Sequence, residues 1–441
     1  MNARVVFVGA GPVGLMTAIQ TKLYDPSLPI LMLEKYDKYK RQHSLILEKS
    51  SFNDAHPDAD WQKFIRALPH HIRTNELEAQ LIQYADKLGI QIKKNCPVTN
   101  CHALLTEYPD ADCFIGADGS HSIVHKQIFN HQYQIKKTLR YIVEVKYDAE
   151  GKTRYLDPLS ELAPAITYAN HLVSEYVGKE KDNKTPIALR IFVDQATYDK
   201  MQDATFKEPY KLSKLAGDDK PKEITKLYQT IRAWITAREM LGGEKQITDS
   251  ERITATNLPV YASNEFVKET NGKTWCLVGD AAFGVPYFRS LNNGILCSSQ
   301  LARVIDAKIH HKEIETYSFS SISSSSKLAA ISAKQEAPFT YYVNYVQALV
   351  NSENILAHIK DLGVSSLQST AYTSQAVPLS RVKIAVMPRG EEFKQAMHEI
   401  REEPMSSSSS LSSFSSFNKT SKEDKMDVEE TSTKSVKCVM M

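Results

Sequence analysis

The chain has 441 residues, 42% of them hydrophobic, and a formal net charge of +2. A charge so close to balance argues against a general affinity for nucleic acid, and the length suits an enzyme with one or two domains. We expect no signal peptide and no membrane-spanning helix, because no apolar run approaches about 20 residues. Neither a metal site nor a disulfide framework is expected, because the six cysteines lack a CxxC pair. They are Cys96, Cys101, Cys113, Cys276, Cys297 and Cys438.

The first part of the chain predicts a strand, a helix and a second strand. Val5 to Val8 form an apolar run bounded by glycine, which is typical of a strand buried on both faces. Residues 13–24 are predicted to be helical, and Ile30 to Leu33 form a second apolar run that ends at Glu34. A unit of this size is a right-handed parallel crossover, so the fold is predicted to open as a doubly wound α/β domain.

Two further segments fit the same α/β pattern. Residues 74–88 carry an apolar stripe at helical spacing, with Thr74 or Asn75 as the predicted N-cap and Gly89 as the stop. The stretch "CFIGADG" at 113–119 predicts a short buried strand that runs into a glycine turn. Both segments are expected to belong to the first domain.

The pattern changes in the middle of the chain. Residues 137–255 alternate apolar and polar positions between polar loops, which indicates an antiparallel sheet and a second, substrate-facing region. The α/β pattern returns at 274–284, and helices are predicted over 293–307 and 328–362. The serine-rich, mixed-charge segment 404–441 lacks the apolar content to fold and is predicted to be disordered.

The glycine cluster "GAGPVG" lies between the first predicted strand and helix. Gly9 permits a tight turn, Gly11 lets the backbone approach a pyrophosphate, and Gly14 allows close packing of helix on strand. Glu34 lies twenty residues after Gly14, where a carboxylate binds an adenosine ribose diol. This carboxylate argues against a 2′-phosphate, so the motif predicts bound FAD or NAD.

Three blocks then decide between the two dinucleotides. "GAGPVGL", "IGADGSHS" and "LVGDAAFG" occur in this order, and together they resemble the fingerprints of single-component FAD-dependent monooxygenases, the aromatic hydroxylases, over roughly residues 4–310. The resemblance implies FAD as cofactor and NADPH or NADH as co-substrate. It also implies that Asp118-Gly119 lies near the pyrophosphate and NADPH, and that Asp280, after Gly279, binds the flavin ribityl chain.

The resemblance implies a fold class as well: α/β, with a doubly wound, Rossmann-like FAD-binding domain, an inserted antiparallel-sheet substrate domain and a helical C-terminal region. The chain is accordingly divided into five segments. They are 1–136 (FAD-binding domain, first part), 137–255 (substrate domain), 256–327 (FAD-binding domain, second part), 328–403 (helical region) and 404–441 (disordered tail).

Two stretches, 34–47 and 71–92, resemble the monooxygenase domain of the MICAL proteins, which oxidise methionines of actin and release hydrogen peroxide. This likeness implies that Gln42 and His43 also lie near the FAD. For Arg41 and Arg73 the alternative of a solvated surface charge stays open. The cofactor-binding residues implied by all of these motifs are Gly9, Gly11, Pro12, Val13, Gly14, Glu34, Lys35, Arg41, Arg73, Val98, Asp118, Gly119, Gly279, Asp280 and Asn293.

The chain departs from the resembled family after the Gly-Asp block. Most relatives carry P-x-x-G-x-G-x-N, whereas this sequence has Arg289 and Leu291 in place of the two glycines. The added bulk narrows the pocket where oxygen reacts, or Arg289 holds a substrate or a charged flavin intermediate. The two substitutions put monooxygenation in doubt more than FAD binding.

The sequence ends in "KCVMM", which matches a prenylation signal at Cys438. The pattern predicts a eukaryotic prenyltransferase as partner and peripheral attachment to a membrane in a eukaryotic cytosol. The protein is either encoded there or delivered by an intracellular bacterium. Lysines and acidic residues offset each other in the tail, so no polybasic second signal accompanies the lipid, and one lipid alone gives marginal binding.

Two functional hypotheses follow. In the first, the chain is an FAD monooxygenase that uses NAD(P)H and O2 on a protein or a small aromatic substrate. In the second, it binds FAD without hydroxylating, and acts as a membrane-associated interaction module or an NADPH oxidase. The flavin carries the chemistry in the first hypothesis, so no side chain is required as a base and no catalytic residue is predicted.

Overall fold

The computed structural model describes residues 3–37, 44–156, 171–286, 289–312 and 337–374, and residue 395. The chain divides into two compact units. The first comprises Met1–Leu139 and Leu258–Asp361, and the second comprises Arg140–Asn257 and Leu362–Met441. No helix in the described ranges is long and apolar enough to cross a bilayer. Within the same ranges no three His, Cys, Asp or Glu side chains form a group suited to a metal ion.

The described chain contains thirteen strands. Their bounds are β1 Val5–Val8, β2 Ile30–Leu33, β3 Ser44–Ile46, β4 His71–Arg73, β5 Gln91–Lys93, β6 Cys113–Gly116, β7 Tyr133–Glu150, β8 Val173–Val177, β9 Lys184–Val193, β10 Arg252–Ser263, β11 Val267–Thr270, β12 Lys273–Leu277 and β13 Phe283–Gly284. Its α-helices are α1 Pro12–Tyr24, α2 Ala59–Ala67, α3 Thr74–Lys87, α4 Cys101–Glu107, α5 Ile123–Gln127, α6 Gln195–Met201, α7 Lys222–Gly242, α8 Ser290–Ile309 and α9 Pro338–Ser374.

The first unit is built on a six-stranded sheet in the order β11-β12-β6-β1-β2-β5. All of its pairings are parallel except β11 with β12. Every residue of β1, β2 and β6 is buried, as expected for parallel strands covered on both faces. Helix α1 packs against α3 and α8. The crossover predicted from residues 5–33 is therefore confirmed, and so is the α/β class.

A second sheet has the order β13-β10-β7-β9-β8. Its described registers, β10 with β13, β7 with β9 and β8 with β9, are antiparallel, as the alternating pattern of residues 137–255 predicted. The second unit has its own apolar core, in which β7 and β9 contribute alternate residues. Helix α7, which packs Leu227, Ile231 and Trp234 into that core, was not predicted from the sequence.

Several element ends differ from their predictions. The N-cap of α3 is Arg73 in extended backbone, without a capping side-chain bond, and not Thr74 or Asn75. The reason is that Arg73 is already paired in β4, so the chain turns directly from strand into helix. Helix α8 begins at Ser290, three residues before the predicted start, and α9 extends past 362 to Ser374. The serine-rich segment 318–326 and the tail 404–441 lie outside the described residues.

Candidate functional site

The turn between β1 and α1 requires glycine at two positions for packing. Gly9 has a φ of +98°, and a Cβ there would lie 2.5 Å from the carbonyl oxygen of Ala117. A Cβ at Gly14 would lie 2.9 Å from the Cβ of Ala117. Both glycines therefore allow the turn and α1 to press against the chain that follows β6.

Gly11 is different, because packing within the described part of the chain does not require its lack of a side chain. Its φ of −71° and ψ of 173° suit any residue, and a Cβ there would have no atom of the described residues within 4 Å. It caps α1 without a side-chain hydrogen bond, and Pro12 occupies the first turn. The amino terminus of α1 thus faces open space, which fits the approach of an anionic group to backbone N–H donors.

Glu34 is held beside this opening, at the end of β2. Its Oε2 accepts a hydrogen bond from the backbone N–H of Ala10 at 2.8 Å, and its Oε1 accepts one from Tyr36 N–H at 2.9 Å. Each carboxylate oxygen has a second lone pair, so two donors of a diol can still bind. The carboxylate is therefore oriented by the glycine turn that it serves.

Glu78 is a buried carboxyl group that was not among the predicted site residues. It lies in the first half of α3 with 5% of its surface exposed, and its Oε2 has no hydrogen-bond partner among the described residues. Burial, and secondarily the charge of Glu34, raises the pKa of Glu78 to about 8. One signal was available, because Glu78 follows Leu77 and lies on the apolar stripe of α3.

The Asp-Gly turn after β6 packs directly on the glycine turn. A Cβ at Gly9 would lie 2.9 Å from the Cα of Asp118. The Oδ2 of Asp118 accepts a hydrogen bond from Ile123 N–H at 2.6 Å, while its Oδ1 is buried without a partner among the described residues. Burial raises the pKa of this carboxyl group. Gly119, with a φ of +82°, completes the turn.

The third block meets the first at Val13. A Cβ at Gly279, where φ is +62°, would lie 3.0 Å from a methyl carbon of Val13, and one at Gly294 would lie 2.6 Å from the other. Side chains at either glycine would therefore push α1 away from the start of α8. The second block thus packs on Gly9 and the third on Val13, so three blocks far apart in the sequence come together at the start of α1.

Tyr261 supports the third block, although no sequence pattern indicated this role. Its hydroxyl donates a hydrogen bond to the carbonyl oxygen of Asp280 at 2.9 Å, and its ring fills the space beside Gly284. β10, which carries Tyr261, pairs with β13 at Gly284. Tyr261 thus fixes the backbone on both sides of the turn that presents Asp280.

Two adjacent asparagines at the start of α8 have different environments. Asn292 Oδ1 accepts hydrogen bonds from Glu48 N–H and the Ser51 hydroxyl, and its Nδ2 donates to the carbonyl oxygen of Ile46 at 2.9 Å. Asn293 is 2% exposed, and its Nδ2 has no acceptor among the described residues. A buried amide donor without an acceptor fits a position that a ligand oxygen completes.

Arg289 is tied to another part of the protein. Its Nε and Nη2 donate to the two carboxylate oxygens of Glu353 on α9, at 2.5 and 2.6 Å, and its Nη1 lies 3.8 Å from Glu48. Glu353 is buried, so this pair neutralises a charge inside the protein. The geometry favours a structural role for Arg289 over the alternative that it holds a substrate or a charged intermediate.

The remaining predicted contacts lie at the edge of the site or outside the described residues. Lys35 is exposed, with its Nζ 4.7 Å from the ring centroid of Tyr36. Arg73 is also exposed, and Val98 is half-buried against the core of the first unit. Arg41, Gln42, His43 and Cys438 lie outside the described residues.

The comparisons with known proteins agree with this architecture. No family model matches the chain. The chain is 28% identical over 173 aligned residues to the [F-actin]-monooxygenase Mical of Drosophila melanogaster. The alignment covers 34% of this chain and only 4% of that relative. Among solved structures, the flavin-dependent halogenase CmlS has a TM-score of 0.51 at 13% identity, covering 92% of this chain and 74% of that one. The flavin-dependent brominase Bmp2 has a TM-score of 0.49 at 12% identity, covering 91% and 99%. The likeness to CmlS shows that the chain shares the α/β fold of that protein.

Proposed function

We propose that this protein is an FAD-dependent oxidoreductase of the monooxygenase type. The observation that carries the proposal is that two separate sequence blocks pack on the turn at residues 9–14, in which Gly11 has no atom of the described residues beside it. The similarity to the Drosophila F-actin monooxygenase lends support, and the fold is compatible with it. A chain that used these glycines only to turn a strand into a helix would need Gly9 and Gly14 but not Gly11.

The described residues fit FAD in the following roles. The turn at Gly11 and the amino terminus of α1 would hold the pyrophosphate, and Glu34 the adenosine ribose diol. Asp280 would bind the ribityl chain, and the unpaired Nδ2 of Asn293 and Oδ1 of Asp118 would gain partners from the cofactor or from its solvent. When bound, FAD supplies two-electron redox chemistry and reaction with dioxygen. The chain itself supplies orientation and exclusion of water.

We further propose NADPH or NADH as the reductant and a protein or a small aromatic molecule as the substrate. The match to an actin-oxidising relative favours a protein substrate, although the chain covers only a small part of that relative. For the second unit, the described residues offer no motif that identifies the substrate.

A second function is favoured by the departure at Arg289 and Leu291. Where the resembled family has glycines, this chain places a guanidinium bonded to Glu353 and a partly buried leucine packed on the core. In this alternative the protein binds FAD but does not hydroxylate, and acts as an NADPH oxidase or as a membrane-associated interaction module.

We also propose that Cys438 is prenylated by a eukaryotic prenyltransferase, which would bring the protein to a membrane surface from the cytosol. The proposal rests on the terminal sequence "KCVMM". Intact mass measurement after incubation with farnesyltransferase and farnesyl diphosphate tests it, with Cys438→Ser as the matched control.

One experiment tests the flavin proposal and separates the two functions. The purified protein should bind FAD with a change in flavin fluorescence, and a Gly11→Asp variant should not. If candidate substrates, including actin, accelerate NADPH oxidation and appear as oxygenated products, the monooxygenase function holds. Oxidation that yields only hydrogen peroxide favours the alternative. A protein that takes up no FAD contradicts both.

A further inference from the structure

The outer face of α9 carries a stripe of exposed aliphatic side chains. Ile355 and Ile359, one helical turn apart, are 60% and 58% exposed. Residues at this spacing lie on one face of a helix. The opposite face of α9 packs Tyr342, Tyr345, Val346 and Leu349 into the core of the first unit. The helix is therefore anchored by one face and leaves an apolar stripe on the other.

Basic groups flank this stripe. His358 lies on α9 between the two isoleucines, and its Nε2 contacts the Nζ of Lys137 at the start of β7. Lys136 and Lys137 are both exposed. Among the acidic residues on the adjoining turns of α9, Glu353 is buried and neutralised by Arg289, whereas Asp361, two positions after Ile359, is half-buried. An apolar stripe with cationic neighbours is complementary to an anionic, partly apolar surface.

A membrane fits this surface better than a second copy of the chain. A stable protein interface buries roughly 1,200 Å² or more, which a few aliphatic side chains on one helix do not approach. Shallow insertion of such side chains between lipid headgroups needs much less area. The tail that carries Cys438 has acidic residues to match its lysines, so a prenyl group there lacks a basic second signal.

We propose that the α9 stripe, defined by Ile355 and Ile359 together with Lys136 and Lys137, binds the headgroup region of anionic phospholipid membranes. It would supply the second attachment that a single prenyl chain requires, and in that respect it rests on the proposed prenylation of Cys438. The stripe holds the first unit against the membrane surface, while the prenyl group slows dissociation of the protein from the membrane.

The test uses the full-length protein, with and without a farnesyl group on Cys438, and sedimentation with vesicles of phosphatidylcholine with or without phosphatidylserine. The Ile355→Ser/Ile359→Ser variant should lower vesicle binding about tenfold, because two apolar side chains no longer insert. The Lys136→Glu/Lys137→Glu variant should lower vesicle binding by at least about fivefold for each lysine replaced. This loss should occur only with vesicles that contain phosphatidylserine. High salt should remove the second effect but not the first.

Matched controls use exposed residues elsewhere. Phe206→Ser removes an exposed apolar side chain from the second unit, and Lys63→Glu/Lys87→Glu reverses two exposed charges on other helices. Neither control should change vesicle binding, and circular dichroism should show that all variants fold.

The other possible outcomes also support or overturn membrane binding by the stripe. Stripe variants that bind vesicles as well as the unchanged protein overturn the proposal. A stripe variant that converts a dimer to a monomer without altering vesicle binding assigns the stripe to self-association and overturns it as well. If farnesyltransferase does not modify Cys438, the prenylation proposal is refuted, and the unmodified protein still tests membrane binding by the stripe. Weak binding to phosphatidylserine vesicles at low salt that the stripe variants abolish then supports the proposal, and no binding refutes it.

Discussion

The glycine turn at residues 9–14 and the segment 289–294 form two parts of one candidate site, yet they are built in opposite ways. The glycine turn depends on backbone conformation and close packing. Gly9 is required by its positive φ angle, and Gly9 and Gly14 both approach Ala117 closely. The segment at 289–294 is instead held by side-chain bonds, since Arg289 binds Glu353 and Asn292 binds Ile46, both in distant parts of the sequence. A short motif predicts the first kind of structure, whereas the second depends on partners that the motif does not contain.

Glycines that serve the fold also differ from a glycine that serves a ligand. A side chain at Gly9 collides with protein atoms, and one at Gly11 meets open space. If a pyrophosphate binds at this turn, the two positions should respond differently to substitution. Variants at four places test the contrast, and the strongest effect is expected at the glycine turn itself.

Gly11→Asp should reduce FAD affinity at least about 100-fold, or about 2.7 kcal/mol, without lowering the stability of the cofactor-free protein, because it adds a carboxylate where the phosphates would approach. Gly9→Ala should instead destabilise the cofactor-free protein by about 2–3 kcal/mol, because φ is +98° and Ala117 is in the way. Fluorescence titration with FAD and thermal unfolding measure the two effects. A Gly11→Asp variant that binds FAD normally would show that no phosphate lies at this turn.

Arg289→Ala should destabilise the protein by about 2 kcal/mol, since it leaves Glu353 buried without its partner. This is below the loss for a fully buried pair, because Arg289 is partly exposed. The double variant Arg289→Met/Glu353→Leu should recover most of the loss, as urea unfolding can measure. A double variant as unstable as the single one would mean that Arg289 acts through other contacts, and would weaken the contrast between the two parts of the site.

Glu78, whose carboxyl group interacts electrostatically with Glu34, should make the stability of the protein depend on pH. Its pKa is about 8 in the folded protein and near the ordinary 4.5 in the unfolded chain, so between these values the folded state holds the extra proton. Stability should therefore fall as the pH rises through this window, because ionising Glu78 costs more free energy inside the folded protein than in the unfolded chain.

The Glu78→Gln variant should lack this part of the pH dependence, and Glu76→Gln, on the exposed face of the same helix, should retain it. Urea unfolding at several pH values between 5 and 8.5 checks both. An equal slope in the two variants would place the titrating group elsewhere.

Tyr261→Phe should have the smallest effect, about 1 kcal/mol, because it removes one hydrogen bond to the carbonyl oxygen of Asp280 and keeps the ring beside Gly284. FAD affinity should fall a few-fold, since the turn that presents Asp280 is less fixed. Tyr155→Phe, on an exposed side chain of the second unit, is the control. If FAD affinity is unchanged while stability falls, Tyr261 supports the fold alone.

Features that depend on residues close together in the sequence could be predicted, whereas features that depend on distant residues could not. Val5–Val8, α1, Ile30–Leu33 and Cys113–Gly116 were predicted from their apolar patterns, because burial on both faces leaves a local record in the sequence. The predicted N-cap of α3 was wrong, because pairing between β3 and β4 overrides the capping preference. Helix α7 was missed within a segment that otherwise alternates like a sheet.

The candidate site divides in the same way. The backbone roles of Gly9, Gly14 and Gly279 and the proximity of Glu34 to the glycine turn were accessible, because each depends on a short motif at the end of a strand. The burial of Glu78 and the support from Tyr261 were not, because each depends on which elements cover the residue.

Strand burial and glycine conformation are local properties, so the order of residues was enough to establish that this chain opens with a doubly wound α/β unit and that its glycine blocks suit a dinucleotide. Three other features emerged only from the folded chain: the second and third blocks pack on the first, at Gly9 and Val13 respectively, Glu353 binds Arg289, and α9 exposes Ile355 and Ile359. Such contacts join residues far apart in the chain, and their partners are selected by packing rather than by neighbouring sequence.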